Sequence, residues 1–205
     1  MSIGRWVEQA AVVEHRLLEP VLGLKDSPLV RALTPLCKLA DETPLMVLSG
    51  ATLFAGVLLR NPRVTRTGAR MFAAHLIANA AKTVLKGSVD RLRPNAVEDE
   101  PEIGTGSGTE DKAANAFPSG HTAGALAVAQ AVAHEFPRHA TAARAIATVA
   151  GATQVPRGAH YLTDVLSGAA IGWLSERIAG VALRLAENAV PDCVALTRKP
   201  SATST

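Results

Sequence analysis

At 205 residues the chain suits one compact domain, and its 48% hydrophobic content with a mean hydropathy of +0.17 is high for a water-soluble protein but low for a bundle of long lipid-facing helices. Aromatic residues make up only 3% and no basic run accompanies the net charge of +3, which excludes a base-stacking platform or a track for a nucleic-acid backbone. Cys37 and Cys193 stand far apart, outside any CxxC or Cys/His cluster, so they read as inert thiols and argue against a disulfide scaffold and a zinc site.

Ile3 to Leu18 carries apolar residues at Ile3, Trp6, Val7, Ala10, Val13, Leu17 and Leu18, a helical period. Arg5, Glu8, Glu14, Arg16 and Glu19 leave no room for the apolar stretch of a signal peptide, so this helix is expected along a surface or interface. After Pro20, Gly23 and Pro28, residues Leu29 to Ala40 form a second, half-buried amphipathic piece. Asp41, Glu42 and Thr43 before Pro44 mark a helix start. Leu45 to Leu59 has no charge and ends at Arg60-Asn61-Pro62-Arg63; it is either a short membrane span or a buried core helix.

Ala69 to Lys86 is the next helix, with His75, Asn79, Lys82 and Lys86 on one stripe that must face the interior or a wet cavity. Gly87 to Phe117 holds three glycines after Gly87, two prolines and seven acidic residues, and reads as a long, mobile, solvated loop of the lid or cover kind. Helices follow from Ser119 to about Phe136, from Ala140 to Val155 and from Thr163 to Leu185, the last with Gly168 and Gly172 in register for a close crossing. The organisation is then amphipathic helices over 1–43, an all-α bundle of about five to six helices over 44–186 with its mobile loop at 95–117, and a polar tail over 187–205.

The chemistry collects at helix ends that an up-down bundle brings to one side. If residues 160–164 are helical, His160 and Asp164 share a face; the carboxylate then fixes the imidazole tautomer and leaves the other ring nitrogen free as nucleophile or base. Lys86 and Arg93 supply positive charge for a phosphoryl group. Pro118-Ser119-Gly120-His121 puts a hydroxyl and unpaired N–H groups at a helix N-terminus, which favours an anion. An oxyanion cradle beside two imidazoles suits phosphoryl transfer through a covalent intermediate. Asp90 and Arg91 read as a local ion pair, and His134 and His139 as surface residues at the far end.

The ordered run Lys86-x6-Arg93-Pro94, Pro118-Ser119-Gly120-His121 and His160-x3-Asp164 resembles the three-part signature of the phosphatidic acid phosphatase type 2 superfamily over roughly residues 44 to 186. The group includes lipid phosphatases, class A acid phosphatases and vanadium haloperoxidases. The resemblance implies that His160 forms a phosphohistidine, Asp164 orients it and His121 protonates the leaving group. It also implies that Lys86, Arg93, Ser119 and Gly120 hold the phosphoryl oxygens, with no metal and no cofactor.

In the third motif the family has Ser-Arg, five residues and then His, where this chain has Thr153 and Gln154. Arg157 is the candidate to supply the missing guanidinium, with Gln154 as a weaker neutral donor. The expected activity is metal-independent hydrolysis of a monoester or diphosphate on a lipid. The alternatives are a soluble acid phosphatase, a vanadate-dependent haloperoxidase, or a lipid-phosphate binding protein without turnover. Arg60, Arg63, Arg66, Arg70, Arg138, Arg144, Arg198 and Lys199 gather away from the site, and Asp41, Glu42 and the acidic loop near it. The positive-inside rule then predicts a multi-pass protein of the inner membrane with an extracytoplasmic site. The partners so implied are a lipid phosphate and the membrane; nothing in the sequence sets the oligomeric state.

Overall fold

The computed structural model describes residues 3–109 and 111–189. Its helices are α1 (Ile3–Leu22), α2 (Pro28–Leu39), α3 (Glu42–Leu58), α4 (Pro62–Ser88), α5 (Gly120–Glu135), α6 (Ala140–Ala152) and α7 (Leu162–Ala189). Two short strands, β1 (Val89–Arg91) and β2 (Ile103–Thr105), join them. The expected tail, with Cys193, Arg198 and Lys199, lies outside the described residues, as does Glu110.

Helix α5 is the centre, packed against α3, α4, α6 and α7. Its Ala- and Gly-rich sequence explains this, since a helix that is small and apolar all round can be enclosed on every side. Thr122 to Ala125, Ala127 to Ala129, Ala131 and Ala133 are all buried. Gly168 and Gly172 let α7 lie directly on it: a Cβ at either would collide with the carbonyl of Ser119 or of Ala123.

Helix α4 begins at Pro62, earlier than Ala69, because Asn61 acts as a cap. Asn61 Oδ1 accepts from the N–H groups of Arg63 and Val64 at 3.1 and 3.2 Å, and proline fits the first helical position. The polar stripe turns towards the start of α3, as expected. His75 Nε2 lies 3.1 Å from the Glu42 carbonyl, Asn79 Nδ2 lies 3.3 Å from His75 Nε2, and Lys82 donates to Glu42 Oε2 at 2.8 Å. At the opposite end Arg70 ties α4 to α7, with Nε and Nη2 each 2.6 Å from Glu176 Oε1.

Three expectations need correction. The segment 87–117 is not wholly irregular, and the chain is not purely α. β1 and β2 pair antiparallel with Asp90 opposite Gly104, while the Arg91 N–H donates to Ala114 O and the Ala116 N–H to Arg91 O. Strands of three residues are too short to show an alternating pattern, which hid them. The charge-free stretch of α3 is not a buried core helix, because Val47, Leu48, Phe54, Val57 and Leu58 are exposed. Nor is any helix among the described residues long and apolar enough to cross a membrane. The 17 residues of α3 rise about 25 Å against a hydrocarbon core of about 30 Å, and the longer α7 carries Glu176, Arg177 and Arg184.

Candidate active site

The three motifs meet at the end of the bundle where α4 finishes and α5 and α7 begin. Asn95 N–H donates to Gly158 O at 3.0 Å, fastening the first motif to the third. Gly158 has φ +67, a left-handed turn whose missing side chain leaves Asn95 room to close in. Ser119 N–H donates to Asp164 O at 3.0 Å, fastening the second motif to the third.

His160 does not lie on a helix. It occupies the turn before α7, which starts at Leu162, so the expected one-turn spacing to Asp164 does not hold. Its Nδ1 bonds the Ala116 carbonyl at 2.6 Å and stands 3.8 Å from Asp164 Oδ2, beyond a hydrogen bond. A carbonyl only accepts, so Nδ1 carries the proton and Nε2 keeps its lone pair. His160 is 2% exposed. Burial pushes its pKa below the usual value, with Asp164 acting in the opposite sense, and the ring is therefore neutral at neutral pH.

Asp164 is fully enclosed and committed elsewhere: Oδ2 accepts the Tyr161 N–H at 2.8 Å and Oδ1 accepts Arg91 Nη1 at 2.7 Å. Arg91 therefore does not pair with Asp90, as the sequence suggested; the Asp90 carboxylate instead accepts the Ser107 N–H at 2.8 Å. Adjacent residues on a strand point to opposite faces, and here they serve different partners.

At the same end of the bundle as His160 lie Lys86, Arg93 and Arg157, all half-buried. Lys86 Nζ donates to the Asn115 carbonyl at 2.6 Å; burial, then the charges of Arg93 and Lys82, push its pKa down to about 8, against the pull of Asp164. Arg93 Nε is buried without a partner. Arg157 Nη1 donates to Gln154 Oε1 at 3.3 Å, so the residue at the family's arginine position holds the arginine three residues on. Arg157 lies next to Gly158, whose carbonyl accepts the Asn95 N–H and so fastens this turn to the first motif. Among the described residues none of these three cations has a carboxylate partner, whereas neighbouring Arg91 has two.

The Ser119 hydroxyl is buried as the cap of α5, 3.0 Å from Thr122 Oγ1. The N–H groups of Gly120 and His121 have no acceptor among the described residues, and Gly120 packs so near Lys82 that a Cβ would stand 2.7 Å from its Cδ. His121 faces His160 with ring centroids 6.2 Å apart. Its Nε2 lies 2.5 Å from Asp41 Oδ1. Burial holds the His121 pKa below the usual value; Asp41 opposes it, and the Arg157 guanidinium acts in the same downward sense as burial.

Asp41, Arg91 and Glu14 were not among the site residues read from the sequence. Asp41 showed as a helix start and as one of the acidic residues at the site end, but its contact with His121 is a tertiary one that no local pattern records. An electron-rich imidazole nitrogen, a second imidazole and three cations without a carboxylate partner among the described residues can together attack, protonate and stabilise a phosphoryl oxyanion.

A family model described as the PAP2 superfamily matches residues 67–185, more than half of the chain and all three motifs. A lipid A 1-phosphatase from Rhizobium johnstonii is 34% identical over 113 residues, which make up 55% of this chain and 46% of that protein, so the chain spans about half the length of that curated relative. Two solved structures share the fold. A transmembrane PAP2 type phosphatidylglycerolphosphate phosphatase from Bacillus subtilis superposes with a TM-score of 0.62 at 21% identity, over 86% of this chain and 87% of the other. LpxE of Aquifex aeolicus superposes with a TM-score of 0.56 at 20% identity, over 80% of this chain and 92% of the other.

Proposed function

The chain belongs to the PAP2 superfamily, and from that premise we propose that it is a lipid phosphatase whose nucleophile is His160. The observation that carries this reading is the set of three half-buried cations, Lys86, Arg93 and Arg157, without carboxylate partners among the described residues, at the same end of the bundle as the free Nε2 of a neutral imidazole. Partly desolvated positive charge is unfavourable unless an anion completes it, and a phosphoryl group does so with the geometry that guanidinium groups match.

His160 Nε2 attacks phosphorus as the bond to the leaving oxygen breaks, and protonated His121 gives that oxygen its proton. Lys86, Arg93, Arg157 and the N–H groups of Gly120 and His121 take the phosphoryl oxygens. Water then attacks the phosphohistidine while neutral His121 accepts its proton, so inorganic phosphate leaves and both rings return to their starting states. Asp164 supports the His160 turn through the Tyr161 N–H. Metal independence is part of the proposal.

The relatives direct the choice of substrate towards a glycolipid phosphate of the lipid A kind, with phosphatidylglycerophosphate second. The apolar exterior on α3 and α7 supports a seat in the inner membrane, the shorter α3 accommodated by local thinning of the bilayer. Arg60, Arg63 and Arg66 at the far end support an extracytoplasmic site.

The test is phosphate release from these lipids, phosphatidate and a soluble aryl phosphate, in detergent with a chelator, for wild type and His160→Ala. Release that persists in chelator and disappears in the variant is expected. Tight binding without release would favour the binding-protein alternative, and preference for the aryl phosphate the soluble acid phosphatase. Partition of the protein into the aqueous phase on detergent phase separation would contradict the membrane seat.

A further inference from the structure

We propose that Glu14 of α1 is a positioning residue for the nucleophile's turn, acting through Arg91 and Asp164; the inference rests on the phosphatase reading above. Both oxygens of this carboxylate are engaged. Oε1 accepts the Thr163 N–H at 2.9 Å, and Oε2 accepts the Thr163 hydroxyl at 2.8 Å and Arg91 Nη2 at 2.7 Å. Arg91 closes the ring by donating Nη1 to Thr163 Oγ1 and to Asp164 Oδ1, each at 2.7 Å.

Arg91 reaches His160 from two sides. Its side chain holds Asp164, whose other oxygen accepts the N–H of Tyr161, and its Cζ lies 4.0 Å from the Tyr161 ring centroid. Its carbonyl accepts the N–H of Ala116, the residue whose own carbonyl fixes His160 Nδ1. Arg91 is 5% exposed and Asp164 fully enclosed, so one carboxylate alone would leave the guanidinium's second edge bare; Glu14 occupies it. Helix α1 reaches the site with polar side chains on its bundle-facing side. It directs Glu14 and His15 at the bundle, His15 Nδ1 lying 3.1 Å from the Tyr161 hydroxyl, while Trp6, Val13 and Leu17 are exposed. The family match begins at residue 67, so this contact is supplied from outside the matched region.

The experiment compares wild type with Glu14→Gln, Glu14→Asp, Arg91→Met and Glu14→Gln combined with Arg91→Met, using the whole chain in detergent. Glutamine keeps the length and can still accept from Thr163, but its amide group meets Arg91 donor to donor. Misplacing a nucleophile without touching substrate should lower kcat on the order of ten- to a hundred-fold and leave KM within about two-fold. Glu14→Asp should recover part of the loss, and Glu14→Gln should add nothing on the Arg91→Met background.

Amide exchange at Tyr161 gives a readout independent of turnover. It should accelerate in Glu14→Gln while Ala127 and Val128 in the core of α5 stay protected. A wild-type kcat with unchanged Tyr161 exchange would overturn the proposal, as would exchange rising equally through α5, which marks general loosening. If wild type releases no phosphate and His160→Ala changes nothing, the phosphatase reading fails, and the Tyr161 exchange alone decides whether Glu14 positions this turn.

Discussion

Inorganic phosphate should bind about ten-fold more weakly at pH 9 than at pH 7, and Lys86 should be the reason. Burial is the first cause that brings this amine down to about 8, with Arg93 and Lys82 adding to it and Asp164 opposing. A group with a lowered basic pKa carries its charge below that value and loses it above. The ammonium fraction is then about nine-tenths at pH 7 and about one-tenth at pH 9. If only the charged form grips the anion, affinity falls by the ratio of those fractions. Bound phosphate raises the pKa of the complex, so the decline continues through the window. The assay is the competitive inhibition constant of phosphate against lipid-phosphate hydrolysis, corrected for the second ionisation of phosphate. Lys86→Arg should give a flat profile because guanidinium stays charged throughout, and Lys86→Met a flat profile at weaker affinity. An Arg variant that repeats the wild-type slope would refute the reasoning, since the titrating group would then lie elsewhere.

Arg157→Ala should lower kcat/KM about ten- to a hundred-fold, the worth of a charged hydrogen bond of about 1.5–3 kcal/mol. Gln154→Arg should restore much of it on that background, and an unaltered rate in Arg157→Ala would sink the idea that this side chain stands in for the motif arginine. Asp41→Asn removes the group that raises the His121 pKa against burial. The alkaline limb of kcat/KM, which reports protonated His121, should then move to lower pH, and a limb that stays in place would show that Asp41 does not govern the acid. Arg70→Ala should destabilise the bundle by about 3–5 kcal/mol, because it leaves Glu176, 4% exposed, as an unpaired buried charge. Its KM should be unchanged, and denaturant unfolding showing a loss under about 1 kcal/mol would contradict this.

Much of the bundle was legible because it is written in local rules. Pro28, Pro44 and Pro137 punctuate the chain, and Ser119 announces α5 by the chemistry of its cap. The register of Gly168 and Gly172 announced a close crossing of α7, and their contacts with the Ser119 and Ala123 carbonyls show its partner to be α5. The motif spacing likewise led to the residues that share one end of the bundle. What stayed hidden was tertiary. Asp41 meets His121 across the connection between α2 and α3, and Glu14 meets Arg91 from a helix whose period fixed its faces but not its partner. The His160–Asp164 spacing misled for a different reason: i, i+4 implies one face only inside a helix, and α7 starts after His160. Ala116, which holds the ring, contributes a backbone carbonyl, and no side-chain identity can advertise that.

The most direct measurement is a rapid acid-free quench of turnover with a lipid phosphate, followed by peptide mass spectrometry under alkaline conditions, where phosphohistidine survives. The account predicts one phosphoryl group on the peptide containing His160, formed at a rate no slower than kcat and absent from the corresponding peptide of His160→Ala. Turnover with no phosphoryl group on His160, or one on His121 instead, would contradict it.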